Sequence, residues 1–197
     1  MIRLSGVGKT YVSCALLHAL RAEGLRAVGL QPVASGCMAT PAGLRNDDAL
    51  ALIAASDPRP DYATCNPFAF TEAVSPHLAA AADRAEVSMA PIQAAFAHLA
   101  DSAEVVLVEG VGGWLAPLSP TLEANALPQA LDLPVILVVG LRLGCLNHAQ
   151  LTARAILADG CTLLGWIGNA VDPAMDRRDD NLDTLRRLLP APCLGVL

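Results

Sequence analysis

Gly6-Val7-Gly8-Lys9-Thr10 holds the only lysine of the chain; every other basic side chain among its thirteen lysines and arginines is an arginine. A glycine before that lysine and a threonine after it is the arrangement of a phosphate-binding loop. Glycine lets backbone N–H groups close on phosphate oxygens, lysine reaches the outer phosphates, and the hydroxyl holds magnesium. The full pattern has a further glycine where this chain has Arg3. On spacing alone the stretch reads as a nucleotide site, with a glycine-rich helix start as the alternative.

Outward from the loop, strands and helices alternate. Residues 10–22 carry apolar side chains at helical spacing and stop before Gly24. Residues 26–30 read as a short strand ended by Pro32. Helices are predicted over 47–55, capped by Asn46 or Asp47, from Ser75-Pro76-His77 with proline in its first turn, and over 91–100, 147–158 and 175–188. Val105-Val106-Leu107-Val108 and Val135-Ile136-Leu137-Val138-Val139 are almost uninterrupted apolar runs, which suit a parallel sheet covered on both faces. Residues 163–167 read as one more strand. The alternation implies one α/β domain over 1–197, doubly wound, with a mainly parallel sheet and helices on both faces. A phosphate loop in such a fold follows a buried strand of about five residues. Only Met1 and Ile2 precede position 3, so the first strand is expected to be missing.

Composition narrows the classes. With 54% hydrophobic and 16% charged residues over 197 positions, the chain has material for a substantial core and is not disordered. A net charge of −6 and no basic stripe argue against nucleic acid as partner. The longest apolar run, 133–141, is too short to cross a bilayer, and no basic-then-apolar signal segment opens the chain. The six cysteines are dispersed without metal-ligand or redox spacing, which fits reduced thiols in a cytoplasmic protein. Ligands of such sheets bind beyond the carboxyl ends of the strands. Gln31 and Ser35, Glu109 with Gly110, Gly112 and Gly113, and Asn169 all fall there.

Further segments are narrower in meaning: Gln31-Pro32-Val33-Ala34-Ser35-Gly36, Thr40-Pro41-Ala42-Gly43-Leu44-Arg45-Asn46-Asp47-Asp48-Ala49, Ser75-Pro76-His77, Val108-Glu109-Gly110-Val111-Gly112-Gly113-Trp114 and Leu143-Gly144-Cys145-Leu146-Asn147-His148. With the loop, they resemble the dethiobiotin synthetase family, and the resemblance runs over 6–197. It implies a P-loop fold and an ATP- and magnesium-dependent ligase of biotin synthesis. In that reaction 7,8-diaminononanoate takes up carbon dioxide as a carbamate, ATP phosphorylates the carbamate, and the second amine closes the ureido ring of dethiobiotin. It also implies roles. Gly6, Val7, Gly8, Lys9, Thr10 and Tyr11 hold the phosphates, with Lys9 neutralising the transferred group. Thr10, Asp48 and Glu109 coordinate magnesium. Glu109, Gly110, Val111 and Gly112 line the phosphate end, and Asn169 with Ala170 meets the adenine. Ser35 contacts the diamine acid. Gly144, Cys145, Leu146 and Asn147 receive its carboxylate from the neighbouring subunit, so a homodimer with shared sites is expected. Asn147 is also readable as an ordinary helix cap. His18, His77, His98 and His148 receive no catalytic role, and Trp114 and Trp166 read as packing residues.

Three departures from the family pattern stand out. The family has a catalytic lysine where this chain has Gln31, which donates a hydrogen bond but brings no charge. The strand and glycine that open the loop are absent, and the family continues past Leu197 with a segment that helps enclose the adenine. These departures raise an alternative: a catalytically impaired relative that binds nucleotide, or only dimerises, without turnover.

Overall fold

The computed structural model describes residues 6–197. The expected loss of a first strand, and Arg3 with it, concerns residues 1–5 and lies outside the described residues. Helix α1 (Lys9–Ala22) opens the described structure. The chain divides into two compact units, Ser13–Leu131 and the segment up to Val12 with Asp132–Leu197.

In the unit Ser13–Leu131, β1 (Ala27–Leu30) is followed by β2 (Val33–Ala34), a hairpin of β3 (Met38–Thr40) and β4 (Gly43–Arg45), α2 (Asp47–Ala55), α3 (Tyr62–Cys65) and β5 (Phe68–Ala69). Then come α4 (Pro76–Ala82), α5 (Met89–Ser102), β6 (Val105–Val108) and α6 (Ala126–Ala130). β1 and β6 pair in parallel from Ala27↔Val105 to Leu30↔Val108. The two-residue period of a strand sends alternate side chains to opposite faces. Ala27 packs with Leu17, Leu52, Ala55 and Cys65 of α1, α2 and α3. Val28 and Leu30 pack with Ala95 and Leu99 of α5 and with Ala103 just beyond it. Helices therefore cover β1 on both faces, as the doubly wound reading requires.

α2 occupies its predicted range. Asn46 caps it, its Oδ1 accepting from the N–H groups of Asp48 and Ala49, while Asp47 and Asp48 sit where the helix dipole favours anions. α5 begins at Met89, ahead of the predicted 91, because proline is tolerated in a helix's first turn. The hairpin turn over Thr40-Pro41-Ala42-Gly43 is tied by the Thr40 hydroxyl donating to Gly43 O at 2.7 Å, with Gly43 at φ 99°.

The other unit holds β7 (Val135–Gly140), α7 (Cys145–Ala158), β8 (Leu163–Asn169), α8 (Arg178–Leu188) and β9 (Cys193–Val196), with a parallel ladder in the order β7-β8-β9. Central β8 buries Trp166 completely. Three predicted boundaries move. β8 runs on to Asn169, because its ladder with β7 extends to Gly140↔Asn169. α7 starts at Cys145 rather than 147, and its cap is Gly144 in the left-handed region at φ 93°, not Asn147. α8 starts at Arg178 rather than 175, because Asp172 draws the preceding residues into a turn: its Oδ1 accepts from Ala174 N–H and its carbonyl from Met175 N–H.

The two apolar runs are less covered than their composition predicts. All of β6 and residues 135–138 of β7 are half-buried, and among the described residues each strand has one ladder partner. No helix among the described residues is long and apolar enough to cross a membrane.

Strand β1 lies directly on α2: a Cβ on Gly29 would sit 2.9 Å from Leu52 Cβ and 3.3 Å from Leu17 Cδ1. Gly29→Ala should therefore overpack the unit and cost about 1–3 kcal/mol. Thermal or denaturant unfolding checks it, and a variant as stable as the parent would show that α2 yields freely.

Candidate active site

The glycine–lysine loop stands immediately before α1. Gly6 and Gly8 have φ of 47° and 73°, conformations that side chains with a Cβ avoid. α1 begins at Lys9, and Val12 N–H donates to Gly8 O at 3.1 Å. Lys9 and Thr10 are half-buried, and Tyr11 is largely exposed. From the end of β8 Asn169 reaches the loop, its Nδ2 donating to Val7 O at 2.9 Å. Its neighbour Ala170 donates its backbone N–H to Leu197 O at 2.8 Å. Of the segment expected to receive a carboxylate, Gly144 and Asn147 are exposed, Leu146 is half-buried and Cys145 is buried. Among the described residues Asn147 makes no hydrogen bond to the loop.

In the unit Ser13–Leu131 the parallel register of β1 and β6 brings the residues just past their carboxyl ends side by side. Glu109 N–H donates to Leu30 O at 2.8 Å, which sets Glu109 beside the start of the turn at Gln31. Both side chains are buried, Glu109 at 5% and Gln31 at 6% exposure. Gln31 Oε1 has no hydrogen-bond partner among the described residues. Gly110 is exposed and Val111 half-buried, and Gly112 turns the chain at φ 75°. Asp48 lies in the first turn of α2. Both carboxylates bear on Cys14 of α1. Burial raises that thiol's pKa most, and the charges of Glu109 and then Asp48 raise it further.

A relay of hydrogen bonds fixes this end of the unit, and the sequence reading missed it. Asn66 Nδ2 donates to Gln31 O at 2.7 Å and to Phe68 O at 3.2 Å. The Tyr62 hydroxyl donates to Asn66 Oδ1 at 3.0 Å and accepts from Asn46 N–H at 2.8 Å. Asn46 Nδ2 donates to Ser35 O at 3.5 Å, while its Oδ1 caps the helix that carries Asp48. Arg45 stacks over the Tyr62 ring, 4.2 Å from its centroid. Gln31, Ser35 and Asp48 are thus held to one frame. Beside it, burial pushes the Cys65 thiol up to about 12, so Cys65 remains a protonated packing group. All six cysteines are free thiols. The available clue to the relay was Asp61, which caps α3: its carboxylate accepts from the Thr64 hydroxyl and then the Thr64 N–H, which lower its pKa.

Among the described residues no three His, Cys, Asp or Glu side chains gather as a metal cage. Asp48 and Glu109, the two carboxylates that act on Cys14, carry hard oxygen donors of the kind magnesium takes.

Parallel strands under helices, with a glycine–lysine–threonine loop opening the first helix, define a P-loop nucleotide-binding α/β protein. A family model described as an AAA domain matches residues 5–197. The chain is 60% identical over 191 residues to the ATP-dependent dethiobiotin synthetase BioD of Xanthomonas euvesicatoria pv. vesicatoria, covering 97% of this chain and 85% of that protein. It is 59% identical to the protein of the same name from Xanthomonas campestris pv. campestris strain ATCC 33913, again over 97% and 85%. It is 54% identical to that of Xylella fastidiosa strain M12 over 98% and 85%. The chain belongs to the dethiobiotin synthetase family.

The relay has a direct test. Asn66→Ala leaves Gln31 O without its buried donor and takes the acceptor from Tyr62. It should lower stability by about 1–3 kcal/mol, measured by denaturant unfolding. A loss below about 0.5 kcal/mol, the range of an ordinary surface change, would mean the relay holds nothing.

Proposed function

We propose that this chain is an ATP-dependent dethiobiotin synthetase, turning 7,8-diaminononanoate and carbon dioxide into dethiobiotin. The single observation that carries the reading is identity near 60% across almost the whole chain to proteins of that name. The family model spans both compact units, which supports treating residues 1–197 as one functional domain.

Both reactants at the phosphorylation step are anions, so catalysis is chiefly positioning and charge neutralisation. A carbamate oxygen forms a bond to the terminal phosphorus of ATP as the bond to the bridging oxygen breaks and ADP leaves. The second amine then bonds to the carbamoyl carbon, phosphate departs with the bond it held, and the amine gives up its proton. Lys9 places an ammonium against the transferred phosphate, and Gly6, Val7, Gly8, Thr10 and Tyr11 line the phosphates. Asn169 and Ala170 flank the adenine. Glu109, Gly110, Val111 and Gly112 border the phosphate end, and Ser35 meets the diamine acid. Gly144, Cys145, Leu146 and Asn147 meet its carboxylate across a homodimer, a reading supported by exposed Leu143 and Leu151 on either side of Asn147. Magnesium, when bound by Thr10, Asp48 and Glu109, supplies charge neutralisation at the phosphates. Asp48 and Glu109 both act electrostatically on Cys14, which supports grouping these two carboxylates. A cytoplasmic location and partners confined to small molecules complete the reading, with neither nucleic acid nor membrane.

Gln31 favours the second reading, an impaired relative that binds nucleotide or dimerises without turnover. Its buried amide oxygen has no hydrogen-bond partner among the described residues, and it brings no cation beside Glu109. Incubating the chain with the diamine, bicarbonate, magnesium and ATP decides between them. Dethiobiotin formation is expected, and Gln31→Lys should raise kcat by about 10²- to 10³-fold. ATP binding with no product from either protein would leave the binding relative standing. An unchanged rate in Gln31→Lys would remove position 31 from the chemistry.

A further inference from the structure

The reading above gives Asn169 to the adenine, yet its amide nitrogen is already engaged with the phosphate loop. Nδ2 donates to Val7 O at 2.9 Å across 162 residues of sequence. A carbonyl only accepts, so the nitrogen and not the oxygen of the amide faces it. The side chain stands on firm ground: Asn169 is 7% exposed and ends β8. Its own carbonyl accepts from Leu141 N–H at 2.7 Å and from Val171 N–H at 2.9 Å. Its ladder neighbour Gly140 is bare because Val7 rests on it. A Cβ at Gly140 would come within 3.1 Å of Val7 Cα and 3.2 Å of Val171 Cγ2. A Cβ at Gly8 would collide with Asn169 Nδ2.

From this seat we infer that Asn169 is a positioning residue of the phosphate loop, not only a contact of the base. By holding Val7 O it fixes the peptide plane just before Gly8. A loop that binds phosphate must keep carbonyl oxygens turned from the anion and N–H groups toward it. A plane left free to turn would spend part of its time presenting the wrong dipole. Anchoring it lowers the reorganisation required when the anion arrives. The inference rests on the loop being a phosphate site and adds what keeps it in shape.

A ligand without a base separates the two roles. Magnesium tripolyphosphate and magnesium ATP are titrated by calorimetry into the full chain, Asn169→Ala, Asn169→Ser and Gly140→Ala. Each variant's thermal midpoint is recorded to confirm folding. Asn169→Ala is expected to weaken tripolyphosphate about 3- to 10-fold, the value of one lost hydrogen bond. Gly140→Ala, whose Cβ meets Val7 and Val171, should weaken tripolyphosphate and ATP alike. Asn169→Ser keeps a polar group in the buried site and serves if the alanine variant does not fold. Amide exchange at residues 7–10 should quicken in Asn169→Ala while β8 keeps its protection. Tripolyphosphate affinity unchanged in a folded Asn169 variant, with ATP weakened, would overturn the inference and leave a base contact alone. Failure of the parent chain to bind either ligand would instead sink the phosphate-site reading.

Discussion

No side chain fits at Gly8. The space a Cβ would fill is occupied by the amide of Asn169, and φ of 73° is already one that glycine tolerates best. Backbone alone therefore occupies the position from which N–H groups would meet an anion, and the only lysine of the chain follows at once in Lys9. Val7 is constrained from the strand side as well, because it leaves no space above Gly140. Loop, helix start and strand end specify one another, which is the condition for a rigid anion site rather than a flexible glycine-rich turn.

The unit Ser13–Leu131 solves a different problem. It keeps the Glu109 carboxylate and the neutral Gln31 amide just past the ends of β6 and β1 without leaving their backbones unpaired. The parallel register supplies one bond, from Glu109 N–H to Leu30 O. The backbone supplies another, from Gln31 N–H to Cys65 O, and Asn66, Tyr62 and Asn46 pass side-chain hydrogen bonds from Gln31 to the cap of α2. Burial gives these bonds their consequence, since a buried carbonyl deprived of its donor loses water as well as partner. Gln31 sits at the start of this frame, its buried amide oxygen without a hydrogen-bond partner among the described residues.

What could be read from the sequence was what local pattern encodes. β1, β6, β7 and α2 declared themselves through short apolar runs and an asparagine cap. The short strands β2, β5 and β9 escaped because two to four residues carry no period, and their ladders are made with distant partners. α8 starts later than its sequence pattern implies, because Met175 and Asp176 suit a helix in isolation while the turn at Asp172 takes the chain first. Lys9, Asp48 and Glu109 were visible as residue types in a family pattern. The relay through Tyr62 and Asn66, and the grip of Asn169 on Val7, were not. Each joins residues whose spacing in sequence says nothing about contact.

The central claim is that one ammonium group beside a glycine loop holds the terminal phosphates of ATP. Calorimetric titration of magnesium ATP into Lys9→Ala, set against the parent chain, tests it most directly. Loss of a charge-assisted contact predicts an affinity about 10- to 150-fold weaker. A folded Lys9→Ala protein that binds magnesium ATP as tightly as its parent would contradict the account.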